Sequence, residues 1–403
     1  MTNIQPIHPF PARMAPEIAL AEINQIAPGS IILDPMSGSG TVIRNASERQ
    51  HEALGFDMDP LAVLMSRVWT TPIDTDGLEN AAHQVVERVR NIATDDLELP
   101  WIDQDEETQQ FINFWFGPNQ RADLRRLSYG FSRLDGPAAD AMRVAMSRLI
   151  ITKNDGASLA NDVSHSRPHR VRVQNDFEVM PNFERSVRFI ARRLRNQPPP
   201  GNVCVCEGDA RCINEVGDCT VDAVISSPPY LNALDYMRGH KMTLVWLGYQ
   251  CRQLRTIRAD SVGAERRPNP DADLAVAAEL IARLHGLEGL SVSQRAMINR
   301  YVLDLLAVVR EAYRVVKPGG KTVYVVGNSC LRDVFINNAQ AVKTVAERVG
   351  FVLTMERERV IPNSKRYLPP PSSNEESTAL TSDLAKRMRT ETILNFRKPE
   401  IMM

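Results

Sequence analysis

The chain holds 403 residues with a formal net charge of −1. That is long enough for a complete α/β domain with an added module, and too balanced for a protein that coats a polyanion along its whole surface. No apolar run approaches the roughly 20 residues that cross a bilayer. The 6 cysteines are few for this length, and "MTNIQPIHPFPARMAPEIAL" has no basic-then-apolar start, so the expectation is a soluble protein in a reducing cytoplasm.

Apolar runs closed by turn residues recur along the chain with helical periodicity between them, the pattern of a mostly parallel sheet covered on both faces. The first, "SIILDPMSGSG", ends in Asp34, Pro35 and Met36, then enters a loop with Gly38 and Gly40 before a helix opening at Thr41. Glycines let a backbone pass close to a ligand, and the carboxyl edge of an open α/β sheet is where such folds bind cofactors. The second run, "EALGFDMDP", ends in Asp57 and Met58. Asp57 falls about 20 residues beyond the glycine loop, the spacing that suits an acceptor for ribose hydroxyls. Asp59, just before Pro60, has the position of a helix cap.

Residues 100–200 then form a connection far longer than a crossover needs, which predicts a helical insert carrying "FINFWF", "RADLRRL" and "FERSVRFIARRLRN" as amphipathic stretches. Between 121 and 200, 15 Lys and Arg face 8 Asp and Glu, a balance that suits either a phosphate-lined groove or a solvated helical face. Within it "NDVSHSRPHRVRVQNDF" places His165, Arg167, His169 and Arg170 on an extended loop able to contact phosphates or a guanine edge. "FINFWF" reads as the insert's own core.

The prolines of "NQPPPGN" mark the return to the sheet. "NVCVCEGDA" is the third strand, ending in Asp209 and Ala210, where the acid can accept from the exocyclic amine of adenine. Cys204, Cys206, Cys212 and Cys219 lack a paired C-x2-C knuckle, so they are expected to be core thiols and no metal is expected. "DAVISSPPY" is the fourth strand. After Ser226 it stops on Ser227-Pro228-Pro229-Tyr230, where adjacent prolines forbid helix, remove two donors and force a stiff turn beside an aromatic ring. A second insertion, 251–299, carries Arg255, Arg258, Arg266 and Arg267 around a loop expected to be mobile. "KTVYVVGNS", "GFVLTMERERV" and "TETILNFRKP" complete the strands, the last two expected to pair antiparallel. "NSKRYLPPP" places Lys365, Arg366 and Tyr367 near the carboxyl edge.

The third glycine of a dinucleotide fingerprint is absent, and an acid-rich rim without lysine suits a nucleoside cofactor bearing a cationic group. In this order "DPMSGSGT", "GFDMDP", "GDA" and "SSPPY" resemble the S-adenosylmethionine-dependent amino-methyltransferases of DNA. "HPFPARMAPEIA" resembles the segment that precedes the glycine motif in that family. The resemblance covers about half the chain. It implies a Rossmann-like class I methyltransferase with a mostly parallel seven-stranded sheet, an antiparallel last strand and a helical insert. The catalytic unit would comprise 1–99, 201–250 and 300–403, with target recognition in 100–200.

By the same resemblance Phe10, Arg13, Asp34, Gly38 and Gly40 hold the methionine end of S-adenosylmethionine, Asp57 the ribose and Asp209 the adenine. Pro35, Met36, Thr41, Met58, Ala210 and Ser226 complete that site. Met36 departs from the family, which usually has an aromatic residue there, so its contact stays open. Ser227, Pro228, Pro229 and Tyr230 would carry catalysis on a flipped base. Arg266, Arg366 and Tyr367 would join the insert's His and Arg residues on double-stranded DNA. Serine before the prolines is associated mainly with N4 of cytosine. N6 of adenine and an RNA base remain the alternatives, and a monomer acting alongside a separate restriction endonuclease is the expected setting.

Overall fold

The computed structural model describes residues 4–10, 13–150, 152, 155–161, 169–231, 235–264, 274–284, 290–331, 334–361 and 390–400. Its centre is a sheet of 7 strands. These are β1 (Ile31–Asp34), β2 (Glu52–Asp57), β3 (Val203–Glu207), β4 (Val221–Ser226), β5 (Val316–Gly327), β6 (Val352–Val360) and β7 (Thr390–Arg397). Across the sheet they run in the order 6-7-5-4-1-2-3. Pairing is parallel from β3 through β5, and β7 lies antiparallel between β5 and β6. Every strand read from the sequence is present, and the antiparallel pairing of the last two is as expected. Strand order turns back beside β1, so the ends of β1 and β4 flank the crevice where open α/β sheets take their ligands.

Fourteen helices accompany the sheet among the described residues: α1 (Pro16–Ile23), α2 (Thr41–Ser47), α3 (Pro60–Thr70), α4 (Thr75–Val89), α5 (Pro100–Asp103), α6 (Glu106–Trp115), α7 (Pro118–Phe131), α8 (Pro137–Ile150), α9 (Val179–Asn196), α10 (Tyr236–Leu244), α11 (Cys251–Asp260), α12 (Leu274–Ala282), α13 (Val292–Val315) and α14 (Asn338–Val349). None is long and apolar enough to cross a membrane.

Three apolar clusters hold the layers together. Ile18 and Ile23 of α1, Val42 and Ile43 of α2 and the strand residues Ile32, Ile225 and Val323 form one face. Tyr301, Leu305 and Val309 of α13 and Val342 and Val345 of α14 cover the other, against Leu33, Val224 and Tyr324. Side chains of α3 to α11 make the third. In α9 the buried positions Phe183, Val187, Ile190, Ala191 and Leu194 recur every three or four residues, each large one contributing about 1.5–3 kcal/mol by burial.

The helical layer is tied to the sheet where it begins and ends. Fully buried Arg44 of α2 donates to the carbonyls of Trp69, near the end of α3, and Gln197, just after α9, at 2.7 and 2.9 Å. Ser47 Oγ donates to Gly201 O at 2.5 Å. The "FINFWF" segment is only partly core: Ile112 and Phe116 are buried, but Phe114 is 49% exposed. The expectation of core thiols also needs correction. Strand β3 is an edge of the sheet, so Cys204 is exposed and Cys206 half-buried, with their Sγ atoms 3.7 Å apart; Cys212 and Cys219 are exposed too. Alternation along a strand tells which side chains share a face, not whether a neighbouring strand covers them.

Candidate active site

The turn after β1 is built on left-handed glycines. Gly38 has φ +51° and Gly40 φ +89°, conformations costly for any residue with a Cβ. Space is also tight, since an added Cβ would lie 3.2 Å from the Phe10 ring at Gly38 and 3.0 Å from Ser66 Oγ at Gly40. Ser66 donates to Gly38 O at 2.6 Å, fastening the turn to α3. Asp57 closes the other side: its Oδ2 accepts from Gly38 N–H at 2.8 Å and its Oδ1 from Asp59 N–H at 2.9 Å. Asp59 caps α3 as its sequence position predicted, accepting from Leu61 N–H at 2.9 Å.

Asp34 is 3% exposed, with Ser226 Oγ donating to its Oδ1 at 2.7 Å and Met36 N–H at 3.3 Å. Burial pushes its carboxyl up to about 7 against those hydrogen bonds, with Asp57 adding repulsion. Desolvation likewise pushes Asp57 up to about 6, reinforced by Asp59. Two acids so raised beside a glycine turn favour a cation there, which would restore both charges. The residues therefore fit S-adenosylmethionine: a cradle that a Cβ would fill, a carboxylate that could accept from hydroxyls, and buried acid that could face a cationic centre.

Phe10 stacks on Tyr236 of α10 with centroids 5.2 Å apart and lies 5.7 Å from the His240 ring. His240 Nδ1 and Asp59 Oδ2 are hydrogen-bonded at 2.5 Å. Arg13 lies over the Trp69 ring at 5.9 Å. The stretch before α1 is anchored to α8, with Ser147 Oγ and His8 Nε2 2.8 Å apart and Arg148 donating to Ile7 O at 2.6 Å. Asp209 stands next to this rim, because Gly208 N–H donates to Asp57 O at 3.0 Å. Its carboxylate is engaged by Arg211, whose Nε and NH2 approach at 2.7–3.0 Å.

The proline turn follows β4 directly. Ser227 Oγ donates its proton to Val325 O at 2.9 Å, which leaves the oxygen's lone pairs free to accept from a ligand. Pro228 is buried, Pro229 and Tyr230 half-buried. The Tyr230 ring covers the end of β5, where a Cβ on Gly327 would meet its Cζ at 3.2 Å. Buried Asn338 clamps the turn, accepting from Leu231 N–H at 3.3 Å and donating to Gly327 O at 3.1 Å and Ser329 Oγ at 2.9 Å. The Ser226–Asp34 bond joins this turn to the glycine turn.

Outside the sheet edge, His169 and Arg170 are exposed on a short ribbon paired with Ala160–Asn161. Arg170 lies over the exposed Phe114 ring at 5.1 Å. His165, Arg167, Arg266, Arg366 and Tyr367 fall outside the described residues. Arg255 and Arg258 are ion-paired with Glu107 and Asp235. Among the described residues no group of three His, Cys, Asp or Glu side chains is arranged to hold a metal. Sequence reasoning missed Tyr236, His240, Asn338 and Arg211. Arg211, two places after Asp209, was the one with a local signal.

The strand order with its reversed β7, the glycine turn after β1, the acids after β2 and β3 and the proline turn after β4 define a Rossmann-like methyltransferase fold. No family model matches the chain. It is similar along most of its length to Type II methyltransferases: 21% identical to M.MvaI of Kocuria varians, over 94% of this chain and 89% of the relative. Identity to the Type II methyltransferase M.AvaI of Nostoc sp. is 22%, covering 83% of this chain and 75% of the relative. With M.BsoBI of Geobacillus stearothermophilus it is 26%, over 34% and 32%. Among solved structures, the TehB-like SAM-dependent methyltransferase of Corynebacterium glutamicum aligns over 96% of this chain and 89% of its own, with 10% identity and a TM-score of 0.31.

Proposed function

We propose that this protein is an S-adenosylmethionine-dependent DNA methyltransferase that modifies the exocyclic N4 of a cytosine turned out of the duplex. The observation that supports the reading is the Ser227 hydroxyl, whose only proton goes to Val325 O, so that its oxygen can act towards a ligand only as an acceptor. An exocyclic amine is a poor nucleophile because its lone pair is delocalised into the ring. Acceptors for both of its protons rehybridise the nitrogen and aim the lone pair outward. Ser227 Oγ is one acceptor and the Pro228 carbonyl, held in place by the rigid turn, is the second. Tyr230 supplies an aromatic surface for a base removed from the stack.

When bound, S-adenosylmethionine supplies an electrophilic sulfonium methyl. Asp34 and Asp57 hold negative charge on its side of the crevice, Phe10 and the glycine turn enclose its methionine end, and Asp209 faces its adenine. No protein base is required, because the nitrogen becomes strongly acidic only once methylated and can lose its proton to water. Serine rather than aspartate before the prolines favours cytosine over adenine.

Residues 100–200 carry target recognition, with His165, Arg167, His169 and Arg170 on the DNA and the Arg170–Phe114 pair as a cationic aromatic ledge. Residues 251–299 form a second insertion whose Arg266, with Arg366 and Tyr367 beyond it, reaches the DNA backbone or flipped base. The free thiols among the described residues suit a reducing cytoplasm. The enzyme works as a monomer beside a separate restriction endonuclease. Methylome sequencing of cells expressing the protein or its Ser227→Ala, Pro228→Ala variant tests this: N4-methylcytosine at one motif, absent with the variant, is the expected result. N6-methyladenine would reject the cytosine assignment, and unmodified DNA would reject the DNA reading.

A further inference from the structure

We propose that Arg211 is a positioning residue that links the cofactor rim to the helices facing DNA, so that cofactor and DNA each tighten the other's binding. The inference rests on the reading of Asp209 as the adenine-side acid. Arg211 forms a fork on Asp209 and reaches two further elements at once. Its NH1 donates to Asp304 Oδ1 of α13 and its NH2 to Asp260 O, the last carbonyl of α11, both at 2.7 Å. Arg300 repeats the arrangement, donating to Ala259 O at 3.1 Å and Asp304 Oδ2 at 3.3 Å.

Two guanidinium groups thus sit on the carbonyl end of α11, where the helix dipole is negative. At its other end α11 is fixed to the helical insert: Cys251 N–H donates to Thr108 Oγ1 of α6 at 2.9 Å, and Arg255 pairs with Glu107. The chain leaving α11 passes the catalytic turn, where a Cβ on Gly263 would lie 3.7 Å from Tyr230 O. One side chain therefore touches the cofactor acid and the end of a helix that spans from the sheet edge to the insert.

The coupling follows from shared lone pairs. Asp209 takes the Arg211 N–H at 2.9 Å as well as the guanidinium fork. An amine arriving at Asp209 draws on the same oxygens, weakens their hold on the fork and shifts the guanidinium toward Asp304 and the α11 carbonyl. That tightens α11 and the insert helices packed on it, and by linkage DNA bound to those helices favours the same shift.

The test measures affinity for a duplex bearing the motif found by methylome sequencing, with and without saturating S-adenosylhomocysteine, for wild type, Arg211→Gln and Arg211→Lys. Lysine keeps the charge beside Asp209 but cannot reach three acceptors at once. The expected wild-type gain is about tenfold, falling below about twofold in both variants while a duplex lacking the motif is bound as tightly as by wild type. Variants that keep the wild-type gain, or a wild type that methylates DNA without any gain, would overturn the inference and leave the proposed activity standing. A wild type that does not methylate DNA overturns both.

Discussion

Two turns leave neighbouring strands at the same edge of the sheet, and they present their backbones by opposite means. After β1 the chain uses glycines with φ of +51° and +89°, so that bare main chain packs close against Phe10 and Ser66. After β4 it uses prolines, which cannot twist and have no N–H to pair, so that acceptors stay where the strand leaves them. The first turn is held by acids, Asp57 on Gly38 N–H. The second is held by an amide, Asn338 on Leu231 N–H and Gly327 O. In the proposed function the first closes around a cation and the second stands still beside an amine.

This contrast can be broken one turn at a time. On the proposed mechanism Ser227→Ala removes an acceptor needed only as the amine reacts, so kcat is expected to fall about 10²- to 10³-fold, with cofactor affinity by calorimetry almost unchanged. If cofactor binding fell instead, the two turns would not divide the work. Gly38→Ala should do the reverse. Its Cβ approaches Phe10 and its φ is left-handed, so cofactor Kd should rise about tenfold while kcat at saturation changes little.

The pH dependence sharpens the distinction further. Asp34 at about 7 is mostly protonated at pH 6, so binding a cationic cofactor must expel that proton. Affinity is expected to weaken up to about tenfold per unit as pH falls below 7 and to level above it. In the ligand-free protein the sign is opposite. The raised carboxyl gives stability that is full below its unfolded value and is lost as pH rises through about 7, so melting temperature should decline over that interval. Asp34→Asn should flatten both profiles.

Much of this edge could be read from the sequence, because turns made of glycine and proline declare their backbone geometry in their own letters. The 7 strands were equally legible as apolar runs. What stayed hidden depends on which distant segments meet. His240 lies 181 residues from Asp59 and Asn338 107 from Leu231, and no local pattern pairs them. The exposure of Cys204 was hidden for the same reason, since alternation in "VCVCE" is identical in a central and an edge strand.

Buried Arg44 has one more implication. By binding the carbonyls of Trp69 and Gln197 with a single guanidinium, it pins the departure and arrival points of the whole α4–α9 excursion side by side. A segment whose two ends meet at one staple behaves as a cassette: its length and surface can be rewritten by evolution or by grafting while the chemistry beneath stays fixed. Under the proposed function, such a layout would let a single chassis acquire new addresses on the genome.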